Sequence, residues 1–204
     1  MSASTTAPDP VFTPWRGNPS DQLQRIRRDL EVESSVIRWF EPDLVPGLLQ
    51  TRDYLREVLE AVIGFVDDAA DDDAVTDAIA ARLERQERWR EAAPSTAFVI
   101  AESALTTIVG TPAITRGQLE ALLLPLPEHA TLAVVPRSTQ FRFTATGFTI
   151  FDDREVRVET ITGGMRFVGP DVAGYQKAFN ALSGDAVTGP DAHALIREAI
   201  AVLG

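Results

Sequence analysis

Pro94 divides the chain into two kinds of hydrophobic periodicity, and that switch limits the fold more than any other feature. Before it, apolar residues recur at spacings of three and four, the period of a helix with one buried face. Over Asp21 to Phe40 these are Leu23, Ile26 and Leu30, with Ser20 placed to cap the helix. Over Thr51 to Ile63 they are Tyr54, Leu55, Val58, Leu59 and Val62, and over Asp73 to Ala92 they are Val75, Ile79 and Leu83. After Pro94, short apolar or alternating runs read as strands: Phe98 to Ile100, Thr131 to Val135, Phe141 to Phe151 and Glu155 to Ile161. Thr115 to Leu124, with Thr115 as its cap, Asp171 to Leu182 and Asp191 to Leu203 return to the helical period. Gly-Pro-Asp, a helix-start signal, opens each of the last two. The order predicts an α+β fold: a small sheet of about four strands packed by helices, with helical N- and C-terminal regions.

Residues 1–19 are rich in Ser, Thr, Pro and Ala and lack a periodic apolar face, so they are expected to be a disordered arm despite Val11, Phe12 and Trp15. Residues 20–204 are expected to form a single domain. Pro42 and Pro46-Gly47 break the chain between the first two helices. Glu41 to Gln50 therefore reads as an ordered loop anchored by Leu44, Val45, Leu48 and Leu49. Asp67 to Asp73 holds five aspartates but lacks the Gly and closing Glu of a calcium loop, and reads as a solvated linker. Gly163-Gly164 reads as a turn.

Composition removes several function classes. Net charge is −11, which argues against direct DNA binding, because phosphate affinity rests on a basic face. Arg25, Arg27 and Arg28, with Arg38 further on, read as a solvated helix face rather than a phosphate site. There is no cysteine, which excludes disulfides and thiolate metal sites. His129 and His193 each lack a second ligand at metal spacing, so both are expected at the surface and no metal is expected. No phosphate loop, dinucleotide fingerprint or nucleophile elbow is present, so no cofactor is expected. No secretory signal is visible and no stretch approaches the roughly 18 apolar residues of a membrane span. The expectation is a cytoplasmic protein with no membrane contact.

A few polar residues stand beside the apolar runs. Glu102 directly follows Phe98-Val99-Ile100-Ala101. A carboxylate at a buried strand end either has a raised pKa and acts as acid or base, or caps the next turn. Glu159 lies on the polar side of an alternating run. Arg82, Arg85 and Trp89 share one helical face, suited to clamping an anion or to an ion-pair network with Glu102 or Glu159. Glu84 and Arg88 are spaced for an i,i+4 pair. Irregular backbone around Pro46-Gly47 needs side-chain partners, and Gln50 offers both a donor and an acceptor. Gln50, Arg85 and Glu102 are therefore expected to converge on one cavity walled by Trp39, Phe40 and Phe98.

Three segments together resemble one family. They are Phe40-Glu41-Pro42 running into Val45-Pro46-Gly47-Leu48-Leu49-Gln50-Thr51, then Arg82-Leu83-Glu84-Arg85-Gln86, then Phe98-Val99-Ile100-Ala101-Glu102-Ser103-Ala104-Leu105. Their order is similar to the C-terminal domain of unknown function of actinobacterial WhiJ-type helix-turn-helix, antitoxin-like regulators, over about residues 21–203. The resemblance implies a shared pocket with Glu41, Gln50, Arg82, Arg85, Glu102 and Glu159 as candidates. It implies a regulatory domain that binds a small-molecule ligand or a partner, such as a BldB-like small acidic protein, and leaves a homodimer open. Only about twenty residues precede the similar region, so the family's DNA-reading role is not expected to carry over. The alternative is a cofactor-independent enzyme (cyclase, isomerase or hydrolase) of specialised metabolism. There Glu102 would act as acid or base and Arg85 would steady developing negative charge.

Overall fold

A computed structural model describes residues 9–18, 20–66 and 72–203. The elements are β1 (Val11–Pro14), α1 (Ser20–Glu33), β2 (Val36–Glu41), α2 (Arg52–Val66), α3 (Asp72–Ala92), β3 (Ser95–Ala101), α4 (Ser103–Thr106) and α5 (Pro112–Leu122). They continue with β4 (Ala130–Val135), β5 (Phe148–Phe151), β6 (Glu155–Glu159), β7 (Gly163–Val168), α6 (Asp171–Asp185), β8 (Val187–Thr188) and α7 (Gly189–Val202). Among the described residues the strands form one mixed sheet in the order β1-β7-β6-β5-β2-β3-β4-β8. β2, β3 and β4 are parallel neighbours. The α2–α3 and α4–α5 connections step the same way across the sheet, and right-handed crossovers then place both on one face. β5, β6 and β7 form an antiparallel meander on the other side of β2, and β1 closes that edge.

The eight-stranded sheet corrects the expected sheet of about four. β3, β4, β5 and β6 correspond to the four runs read as strands. β2 was hidden in the supposed helix from Asp21 to Phe40, which ends at Glu33. A parallel strand buried on both faces carries apolar residues on both, so Val36-Ile37-Arg38-Trp39-Phe40 has no alternation to reveal it. β7 begins at the Gly163-Gly164 read as a turn. A Cβ at Gly163 would overlap the Phe12 ring, so glycine is what lets β1 lie against β7. β1 and β8 hold four and two residues, too short for a periodic signal. The fifth helix is capped by Thr111, whose side chain accepts from Ile114 N, and not by Thr115. Residues 136–147 are irregular, which shortens the strand expected from Phe141 to four residues.

Residues 11–14 pair with β7, and the Trp15 indole donates to Thr160 O at 2.9 Å. Residues 11–15 therefore belong to the fold, a correction to the arm expected over residues 1–19. Residues 1–8 and 19 lie outside the described residues, as do Asp67 to Asp71 of the acidic run.

Both sheet faces are covered. On one, Ile37, Trp39 and Phe98 meet Trp89 of α3, while Ile100 and Val134 meet α5 and α7 through Leu119 and Ile196. On the other, Phe40, Val99, Phe148, Ile150 and Val156 are covered by α6 through Val172 and Phe179. The alternation along β2 thus sends Trp39 and Glu41 to the α1–α3 face and Phe40 to the α6 face. No helix among the described residues is long and apolar enough to cross a membrane.

Candidate functional site

α1, α2 and α3 do not close completely over β2 and β6. They leave a cleft of about 800 Å³. α1 sends Leu23, Ile26 and Leu30 into it, and α2 sends Val58, Leu59, Val62 and Ile63. These spacings of three and four make an aliphatic wall. The floor is polar and built from Gln24, Arg27, Trp39, Glu41, Gln50 and Arg82. Thr13 and Trp15 close the end near β7, where Glu159 stands on the rim.

The floor rests on a buried ion pair. Arg85 is 1% exposed and Glu31 is 0% exposed. Arg85 Nε and Nη2 reach the two Glu31 oxygens at 2.6 and 2.5 Å in a fork-to-fork arrangement. The Gln24 side-chain oxygen accepts from Arg85 Nη1 at 2.9 Å and from Arg82 Nε at 2.6 Å. Arg82 Nη1 donates to Gln50 Oε1 at 3.3 Å. Arg82 has no carboxylate at ion-pair distance among the described residues. Its Nη2 makes no hydrogen bond among the described residues, and the residue lines the cleft.

Arg27 enters from α1. It donates to Thr149 Oγ1 at 3.1 Å, pairs with Glu159 and lies 4.9 Å over the Trp39 ring. Its Nε is buried with no partner among the described residues. Burial, and then the neighbouring Arg85 charge, lower the Arg27 guanidinium to about 10, so it stays charged at neutral pH. The same two causes bring Arg82 well below the usual arginine range. Glu41 shows the opposite shift. Burial raises its carboxyl, against the Trp39 indole hydrogen bond at 2.7 Å and the charges of Arg27 and Arg82; Asp43 adds to the rise.

The Pro46-Gly47 loop positions this floor. Three glutamines satisfy its backbone: Gln50 Nε2 donates to Val45 O, Gln86 Nε2 to Gly47 O and Gln50 O, and Gln118 Nε2 to Leu49 O. Gln118 also accepts from Thr51 N at 2.6 Å. Gly47 has an ordinary φ; what it supplies is space. A Cβ there would overlap Arg82 Nη1 and come within 3.1 Å of Cζ.

Of the residues expected to share a pocket, the structure brings together Glu41, Gln50, Arg82, Arg85, Glu159 and Trp39. It does not bring in Glu102, Phe40 or Phe98. The chain leaves β3 at Ala101 and turns into α4, so Glu102 faces the loop after β4 and accepts from Arg137 N at 2.7 Å. The expected meeting of Gln50, Arg85 and Glu102 in one cavity is thereby corrected: Glu102 stands outside this cleft and lines a smaller pocket of about 200 Å³ beside Arg137 and Arg142. Phe40 packs on Phe148 across the sheet, and Phe98 lies behind Trp39, against Trp89.

Sequence reasoning missed Gln24, Arg27 and Glu31. Arg27 had been assigned to a solvated face. Gln24, Arg27 and Glu31 stand at helical spacing beside Leu23 and Leu30, so their shared face was the available signal. Other pairings also differ from expectation. Glu84 meets Arg28, and Arg88 meets Glu91. His129, expected at the surface, is half-buried with its ring 4.8 Å from that of Trp89.

Nearly all of these floor and rim residues lie within residues 24–198, which match the family described as domain of unknown function (DUF5753). The chain belongs to that family. No curated protein matches it. In this DUF5753 domain the sign of the Glu41 shift gives a test. An unfolded Glu41 ionises near 4.5, while the folded one holds its proton to higher pH. As pH rises through that window the unfolded state loses the proton first, so folding stability falls. Glu41→Gln keeps an acceptor for Trp39 and removes the titration. Its melting-temperature gain over the parent should be larger at about pH 8 than at about pH 5. Equal gains at both would refute the buried, raised carboxyl.

Proposed function

We propose that this DUF5753 domain is the ligand-binding, regulatory part of a WhiJ-type antitoxin-like regulator acting in the cytoplasm, with the cleft under α1 as its receptor site for a small molecule. Arg82 carries the ligand half of this reading. Among the described residues its guanidinium is bonded only to neutral glutamine oxygens, and it lines a cleft of about 800 Å³. A desolvated charge is unfavourable unless it is paired, and an apolar side chain would fill the same place at lower cost. A charge retained beside an open cleft is suited to a ligand that completes it. The regulatory half is supported by the resemblance of the loop, α3 and β3 segments to WhiJ-type proteins, with a BldB-like small acidic protein as the proposed partner.

Phenylnaphthylamine, an uncharged dye that brightens in apolar sites, tests the receptor. It should bind saturably. Val62→Trp and Ile26→Trp, both at half-exposed positions on the cleft wall, should each weaken it by about tenfold or more. Absence of saturable binding, or binding indifferent to both substitutions, would refute the receptor. Small-molecule competitors should be recovered unchanged after long incubation; conversion of one would favour the enzyme reading instead.

A further inference from the structure

The charges around the cleft set what the polar end of its ligand can be. α1 contributes Arg27 and Glu31, and α3 contributes Arg82 and Arg85. β2 contributes Glu41, and the loop after it Asp43. β6 contributes Glu159 and Arg157, the latter tied to Glu155 together with Arg166 of β7. Asp73 and Asp77 stand at the start of α3, and Arg16 lies on the β1–α1 connection. Arg85 is matched by Glu31, Arg27 by Glu159 and Arg157 by Glu155. Arg82 and Glu41 are left over on the floor. They form no ion pair among the described residues, and burial disfavours the charged form of each.

We propose that the cleft takes an amphipathic monocarboxylic acid, its carboxylate against the Arg82 guanidinium with the Arg27 charge beside it, and its aliphatic body along Leu23, Ile26, Val58, Leu59 and Val62. This rests on the receptor reading above. A planar carboxylate fits the planar guanidinium fork, and one negative charge completes the arginine left over on the floor. A phosphate monoester carries about 1.5–2 negative charges near neutral pH and would leave an excess beside Glu41 and Glu159. A neutral alcohol leaves Arg82 unmatched, and an amine meets three guanidiniums. A second carboxylate beside Glu41 favours the neutral form of Glu41. Binding therefore takes up a proton from water, and affinity falls as pH rises.

Displacement of phenylnaphthylamine by decanoate, decanol, decyl phosphate and decylamine tests this. Decanoate should displace the dye at a concentration about tenfold or more below the other three. Arg82→Met should weaken decanoate far more than decanol and so erase that advantage, and Arg27→Gln should reduce it. In the parent the decanoate advantage over decanol should be larger at about pH 6 than at about pH 8, and Glu41→Gln should remove the difference. Equal displacement by decanol, decyl phosphate or decylamine would overturn the ligand class while leaving the receptor in place. So would an unchanged order in both arginine variants. A pH dependence that survives Glu41→Gln would overturn the proton uptake. Failure of the dye itself to bind the parent would overturn both readings.

Discussion

Arg85→Met should destabilise the fold by about 3–5 kcal/mol, the usual cost of breaking a buried ion pair from one side. For a chain of this size that is a fall in melting temperature of roughly 6–20 °C. Glu31 is fully buried and its two oxygens are held by Arg85 Nε and Nη2. Without the guanidinium, Glu31 keeps a desolvated charge or takes up a proton, and Gln24 loses one of its two donors. Glu31→Leu leaves the converse defect, a buried cation. The double variant Arg85→Met/Glu31→Leu removes both charges together and fills the space with apolar atoms, so it should recover much of the loss. Thermal or urea unfolding of the four proteins gives the coupling directly. Single variants that melt within a degree or two of the parent would mean the pair is not desolvated. A double variant at the sum of the two losses would mean the residues act independently.

The sequence-level reading followed the helices well because each buries one face. Val58, Leu59 and Val62 were assigned to the inner side of α2 and line the cleft. It failed where burial on two sides hides a period. β2 lies between β3 and β5 with both faces covered, and its apolar run merged with the helix before it. The Pro46-Gly47 loop was legible because backbone that breaks a helix must find other partners, and Gln50 supplies one to Val45 O. Gln86 and Gln118 were not legible in that role, since they lie 36 and 69 residues away from the atoms they serve. Glu102 misled for a local reason. Nothing in Ala101-Glu102-Ser103 shows that the chain turns into α4 before the carboxylate can point into the cleft. Arg27 misled because charged residues on a helix usually face water. Its inward position depends on Thr149 and Glu159, more than a hundred residues further on.

Gly47→Ala should separate the charge on the cleft floor from the stability of the fold. The φ of Gly47 lies outside the left-handed region, so alanine meets no backbone strain there. Its Cβ would overlap Arg82 Nη1, the far end of a flexible side chain, and the guanidinium has the open cleft to move into. The expected cost is therefore small, about 1 kcal/mol or a few degrees of melting temperature, from the lost bond to Gln50 Oε1. Binding should change more. A guanidinium swung away from Gln50 no longer presents Nη2 beside Arg27, so decanoate should lose about tenfold in affinity while phenylnaphthylamine keeps its own. The double variant Gly47→Ala/Arg82→Met should bind decanoate no more weakly than Arg82→Met alone, because both changes remove one interaction. Full additivity would show that Gly47 acts through something other than Arg82. A large fall in melting temperature would show that the loop, held by Gln86 at Gly47 O and by Gln118 at Leu49 O, has no freedom to let the arginine move.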